Sequence, residues 1–158
     1  MTSVPNSYPP SASGVRLGVD VGSVRVGVAI SDPQGILATP YGTFPRDART
    51  KSDLARLAAL VAEHSVVEVV VGLPRSLSGR EGAAVVAARD YGSQLRNRIS
   101  PVPVRYVDER LTSVTANRIL SERGIKAKKA RAVVDQVAAV QILQTYLDSC
   151  RASGAGGW

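Results

Sequence analysis

With 158 residues, 44% of them hydrophobic, the chain can bury one sizeable core and is too apolar for a disordered protein. Its 20 Lys and Arg against 13 Asp and Glu leave a formal charge of +7, a balance that favours an anionic partner, nucleic acid above all. A single cysteine, Cys150, excludes a disulfide framework within the chain and points to a reducing cytoplasm, with an intermolecular bridge as the lesser alternative.

Residues 1–13, MTSVPNSYPPSAS, lack the basic start and apolar stretch of a secretory signal and are expected to be a disordered tail. No apolar run reaches membrane-spanning length, so no membrane partner is expected. VRLGVDV (15–21) and VRVGVAIS (24–31) are β-branched runs joined at Gly22-Ser23, the pattern of a hairpin. A third strand is expected near ATPYGTFP (38–45), weakened by its prolines. Leu54, Leu57, Ala58 and Val61 at helical spacing predict a helix over 50–64. VVEVVVG (66–72) and VPVRYVD (102–108) are short apolar runs typical of buried strands, with a helix at 81–99 between them. Helices at 112–122 and 131–148 complete a β-β-β-α-β-α-β-α-α order, and RASGAGGW (151–158) is expected to be a flexible tail. Residues 14–150 then form one α/β domain, a five-stranded mixed sheet flanked by helices.

At three places acids stand where a solvated surface acid would not. Asp20 lies inside the first apolar run and alternates onto the face of Arg16, Gly18 and Gly22. If Gly27, Ala29 and Ser31 of the next strand lie beside it, they leave an open trough; the alternative is a tight hairpin whose turn Asp20 stabilises. Asp108 and Glu109 end a buried strand at the carboxyl edge, where open α/β sheets place their sites, although helix capping would also explain one of them. Asp135 shares a helix face with Ala138, Ala139, Ile142 and Tyr146, with Gln136, Gln141 and Gln144 on the other side; a salt bridge to a buried Arg is the alternative. Inward carboxylates from three elements repel one another and need a cation. Hard divalent ions such as Mg²⁺ take such oxygen ligands, and two of them can drive phosphodiester cleavage.

Four segments, GVDVGSVRVGVAISD, VVVGLPRSLSG, DERLTS and VVDQVAAVQILQTYL, occur in this order between residues 18 and 147. Together they resemble the YqgF/RuvX family of pre-16S ribosomal RNA nucleases, also described as Holliday-junction-resolvase-like. The resemblance implies a ribonuclease H-like fold and an acidic site on Asp20, Glu109 and Asp135 that holds Mg²⁺ or Mn²⁺. Ser113 stands where the family pattern leads one to expect Thr.

Substrate-facing residues follow from charge. VGLPRSLSGREG (71–82) carries Arg75 and Arg80 among glycines and can present N–H groups and guanidinium forks to phosphate, without the Gly-Lys-Ser/Thr ending of a P-loop. The stretch from Arg96 to Arg131 is basic, and RGIKAKKAR (123–131) offers Lys126, Lys128, Lys129 and Arg131 for phosphate contacts. Arg25 and Arg110 are candidates to hold phosphate beside the acids. Aromatics make up 4%, so backbone or shape recognition outweighs base stacking. His64 and Cys150 lack the partners of a zinc or nucleophile site. The expected function is a metal-dependent nuclease acting on precursor ribosomal RNA. A Holliday junction resolvase, which implies a homodimer for paired cuts, is the runner-up, and a non-catalytic ribosome-assembly factor the third reading. DVGS also resembles the phosphate loop of actin-like ATPases, but those need two such domains.

Overall fold

The computed structural model describes residues 13–74, 82–111 and 128–154. In chain order the elements are β1 (Arg16–Val21), β2 (Arg25–Ser31), β3 (Ala38–Pro45), α1 (Ser52–Glu63), β4 (Glu68–Leu73), α2 (Ala83–Ile99), β5 (Val104–Asp108), a 3-10 turn (Glu109–Leu111) and α3 (Lys128–Gly154). The helix expected at 112–122 lies outside the described residues.

The strands form one five-stranded sheet in the order β3-β2-β1-β4-β5. β1–β2 and β2–β3 pair antiparallel, and β1–β4 and β4–β5 pair parallel. The mixed sheet follows from connection length: short turns force antiparallel neighbours, whereas α1 and α2 carry the chain back to start parallel strands. β4 is buried along its whole length because helices cover both its faces.

The two faces have separate cores. Leu17, Val19, Val28, Val69 and Val71 meet Leu54, Leu57 and Leu95 of α1 and α2. Ala29, Val70 and Val107 on the opposite face meet Ala138, Ala139, Ile142 and Leu143 of α3. Alternation along each strand therefore assigns Gly18 and Asp20 to the α3 side.

Three details depart from expectation. Gly22 N–H donates to the Arg25 carbonyl at 3.0 Å, so the β1–β2 loop is Ser23-Val24 and not Gly22-Ser23. β3 forms over the expected residues despite its prolines, because it is an edge strand and its register slips between Val28 and Ala29, leaving Tyr41 as the extra residue. α3 begins at Lys128 and runs past 148 to Gly154. Its end is tied down by Arg151, which donates to Asp148 at 2.6 Å and to the Ile36 carbonyl at 3.1 Å.

Candidate active site

The three acids predicted from the sequence meet the carboxyl end of the sheet from three directions. Asp20 is the penultimate residue of β1 and is 2% exposed. Its antiparallel partner is Gly27 of β2. The parallel register Gly18–Val70 and Val19–Val71 continues to place Gly72 of β4 on its other flank. The expected trough has a glycine on both sides of the acid, but α3 fills it from above, so it is not open as the sequence suggests.

Each glycine marks the approach of one further acid. A Cβ on Gly27 would run into the Asp135 carbonyl and lie 3.2 Å from the Asp135 Cβ. A Cβ on Gly72 would lie 3.1 Å from Glu109 Oε2 and 2.5 Å from Ile142 Cδ1. Glycine is required here for close approach and not for an unusual backbone angle. α3 can press Asp135 onto the sheet because Ala138, Ala139 and Ile142 on the same face are buried in the second core.

Asp108 and Glu109 separate as they leave β5. Asp108 is the last strand residue and half-buried, whereas Glu109 opens the 3-10 turn and is 3% exposed. The change from strand to turn rotates Glu109 inward. Gln136 and Gln144, placed by the sequence on the side away from Asp135, nevertheless meet the edge of the sheet: Gln136 donates to Thr43 of β3 at 3.1 Å, and Gln144 accepts the Ala38 N–H of β3 at 2.9 Å and donates to the Ile36 carbonyl just before it at 2.8 Å. Gln141 is different: its Oε1 is buried with no hydrogen-bond partner among the described residues.

Arg25 starts β2 beside this trough. Its Nε donates to Asp135 Oδ2 at 2.7 Å, with both side chains about a quarter exposed. The salt bridge considered for Asp135 therefore exists, made by a residue expected to hold phosphate. A guanidinium held this close to buried acids offsets part of their mutual repulsion. Arg75, Arg80 and Lys126 lie outside the described residues, as do the side chains of Arg110, Lys128, Lys129 and Arg131.

The donor set suits a hard divalent cation: every candidate ligand is a carboxylate oxygen, and burial of such groups is costly without a compensating charge. Among the described residues, no three His, Cys, Asp or Glu side chains close into a metal-ligating cluster, and Asp135 is engaged by Arg25. Cys150 offers no competing chemistry. Burial is the main cause that pushes its thiol above the ordinary range, and it lies beside Tyr146 on the same helix, away from the acids. His64 caps the end of α1 and meets the Tyr41 ring edge-on at 6.1 Å.

Sequence reading passes over Arg46. Its backbone N–H donates to the Val24 carbonyl at 2.9 Å and its Nη1 to the Gly22 carbonyl at 3.0 Å, docking the residue onto the turn between Asp20 and Arg25. No local pattern signals this, because the partners are 22 to 24 residues away in sequence.

The glycine at 27 yields a direct prediction. Gly27→Ala should cost about 1–3 kcal/mol, because the added methyl meets rigid helix backbone. Gly72→Ala should cost less, since the Ile142 side-chain tip can move. Urea midpoints of the two variants test this; equal midpoints would show that α3 does not bear on β2 as described.

The comparisons with known proteins agree with this architecture. A relative from Frankia casuarinae is 59% identical over 143 residues, covering 90% of this chain and 71% of its own. One from Mycobacterium leprae is 59% identical over 140 residues, covering 89% and 76%. Both carry the name "Putative pre-16S rRNA nuclease". The solved structure of Thermus thermophilus RuvC in complex with a Holliday junction substrate aligns with a TM-score of 0.57 at 16% identity, over 89% of this chain and 97% of that one. That likeness shows a ribonuclease H-like fold. The family model described as "RuvX: Holliday junction resolvase" matches residues 14–149, and with relatives this similar across most of their length the chain belongs to the RuvX family.

Proposed function

We propose that this protein is a divalent-metal-dependent nuclease that hydrolyses phosphodiester bonds and processes the 5′ end of precursor 16S ribosomal RNA in the cytoplasm. The observation that carries this reading is the approach of Asp20, Glu109 and Asp135 to one glycine-flanked trough at the carboxyl end of the sheet. The names of the relatives support the RNA substrate. Among the described residues no helix is long and apolar enough to cross a membrane.

Asp20, Glu109 and Asp135 would hold Mg²⁺ or Mn²⁺, which when bound activates a water and stabilises the leaving oxygen. The chain's own residues supply the rest. Gly27 and Gly72 let Asp135 and Glu109 come up close on either side of Asp20. Arg25 is placed to exchange Asp135 for a phosphate oxygen, because a guanidinium fork suits either partner. Arg75, Arg80, Arg110, Lys126, Lys128, Lys129 and Arg131 would carry the flanking phosphates, giving salt-sensitive binding.

A second reading is favoured by the family's description as a Holliday junction resolvase. Two symmetrical cuts in a junction call for two sites, so this reading includes a homodimer. The test is direct. The full chain is incubated with Mg²⁺ or Mn²⁺ and either a precursor RNA spanning the 16S 5′ end or a four-way DNA junction. Cleavage of the RNA is the expected result. Preferential junction cleavage would replace it with the resolvase, and binding without cleavage of either would leave a ribosome-assembly factor.

A further inference from the structure

The segment Arg46–Lys51, RDARTK, joins β3 to α1 on the α1/α2 side of the same sheet end. It carries three cationic side chains within six residues. Its backbone is held unusually firmly for a surface connection. Asp47 accepts N–H bonds from Arg49 at 3.0 Å and Thr50 at 2.9 Å. The Asp47 N–H in turn donates to Asp53 Oδ1 at 3.1 Å. Asp53 is 3% exposed and anchored by the Tyr91 hydroxyl, which donates to its Oδ2 at 2.7 Å.

Two of the three cationic side chains are docked on neighbouring elements. The Arg46 guanidinium lies over the Tyr91 ring, 5.0 Å from its centroid, and bonds the Gly22 carbonyl two residues beyond Asp20. Lys51 Nζ donates to Gln94 Oε1 at 2.7 Å on α2. Arg49 between them is exposed, and no described group holds its guanidinium. The Thr50 amide and then its hydroxyl keep the Asp47 carboxyl below the usual carboxylate range, so the clamp stays charged at neutral pH.

We infer that Arg46–Lys51 is a preformed basic ledge that receives the phosphate backbone of a nucleic-acid strand as it enters the acidic trough. This rests on the nucleic-acid reading above and adds a surface to it. With the backbone of the turn already held, binding a polyanion orders only the side chains and not the loop, which is why a clamped turn serves better than a loose one. Arg46 is a positioning residue, because it also holds the turn that carries Asp20. Arg49 and Lys51 are the phosphate-facing members.

The test uses the full chain and a short labelled single-stranded RNA, titrated across a salt series without divalent ions. Arg49→Gln/Lys51→Gln should lower affinity about tenfold at low salt. Losing two phosphate contacts should flatten the log–log salt slope by about 1.4. A charge-matched control, Arg105→Gln/Arg151→Gln, alters the opposite end of the sheet, where Arg105 bonds Glu68 at the start of β4 and Arg151 bonds the Ile36 carbonyl ahead of β3, and should leave the slope unchanged. Equal losses in both variants would assign the effect to net charge and overturn the ledge, as would wild-type binding by the ledge variant. If the wild type itself binds no RNA, the nucleic-acid reading fails and the ledge with it. A matching thermal melt shows that the variant is folded.

Discussion

Asp20→Asn should abolish phosphodiester cleavage, by about a thousandfold or more, while leaving the fold intact or slightly more stable. A thousandfold loss corresponds to about 4 kcal/mol of transition-state stabilisation. The substitution keeps the size of the side chain and removes one negative charge from a residue that is 2% exposed. Glu109 and Asp135 approach its flanking glycines, so one fewer anion relieves repulsion among the three. A gain or no change in stability together with lost activity is the signature of a site strained for function. Paired cleavage assays and thermal melts of wild type and variant check both halves. Near-normal cleavage by Asp20→Asn would remove Asp20 from the reaction, and a collapsed melt would show it to be structural.

Glu68→Ala should produce the largest loss of stability. Glu68 starts β4, at the opposite end of the sheet from the trough, and is 7% exposed. Its Oε1 accepts Arg16 Nε at 2.7 Å, and its Oε2 accepts Tyr146 OH at 3.0 Å and Arg105 Nε at 3.3 Å. Tyr146 remains a donor throughout the physiological range, since burial first and the Glu68 charge second push its ionisation well upward. Truncation strands the Arg16 guanidinium, itself 4% exposed, without its carboxylate. Removing one partner of a buried pair costs about 3–5 kcal/mol, which for a chain of this size lowers the melting temperature by roughly 10 °C. Glu68→Gln keeps one acceptor and should lose about half as much. Because the network is remote from the acids, cleavage per folded molecule should stay near the wild-type value. Wild-type stability in Glu68→Ala would show that the Arg16 pair contributes nothing net.

Much of the architecture was legible in the residues. Alternation in RLGVDV and RVGVAIS gave the hairpin faces, and the uninterrupted apolar run of β4 announced burial on both sides. Helical spacing around Asp135 correctly turned it towards the sheet, since a periodic face must bury the acid with its apolar neighbours. The one-residue error in the β1–β2 loop had little effect, because strand alternation and not the turn sets which face Asp20 occupies. The extension of α3 to Gly154 was hidden because Arg151 and the Ile36 carbonyl meet across 115 residues.

The sequence by itself determined the element order, the mixed sheet, and that Asp20 and Asp135 turn inward, because periods of two and 3.6 residues are local properties. Only the tertiary structure decided which acid of the Asp108–Glu109 pair faces Gly72, that Asp135 lies against Gly27, and that Arg25 pairs with Asp135 across 110 residues. It alone joined Glu68 to Arg16 and Tyr146, and docked Arg46 on the turn beyond Asp20. These are register and packing facts. They depend on where one element's side chains land on another, which no local period encodes.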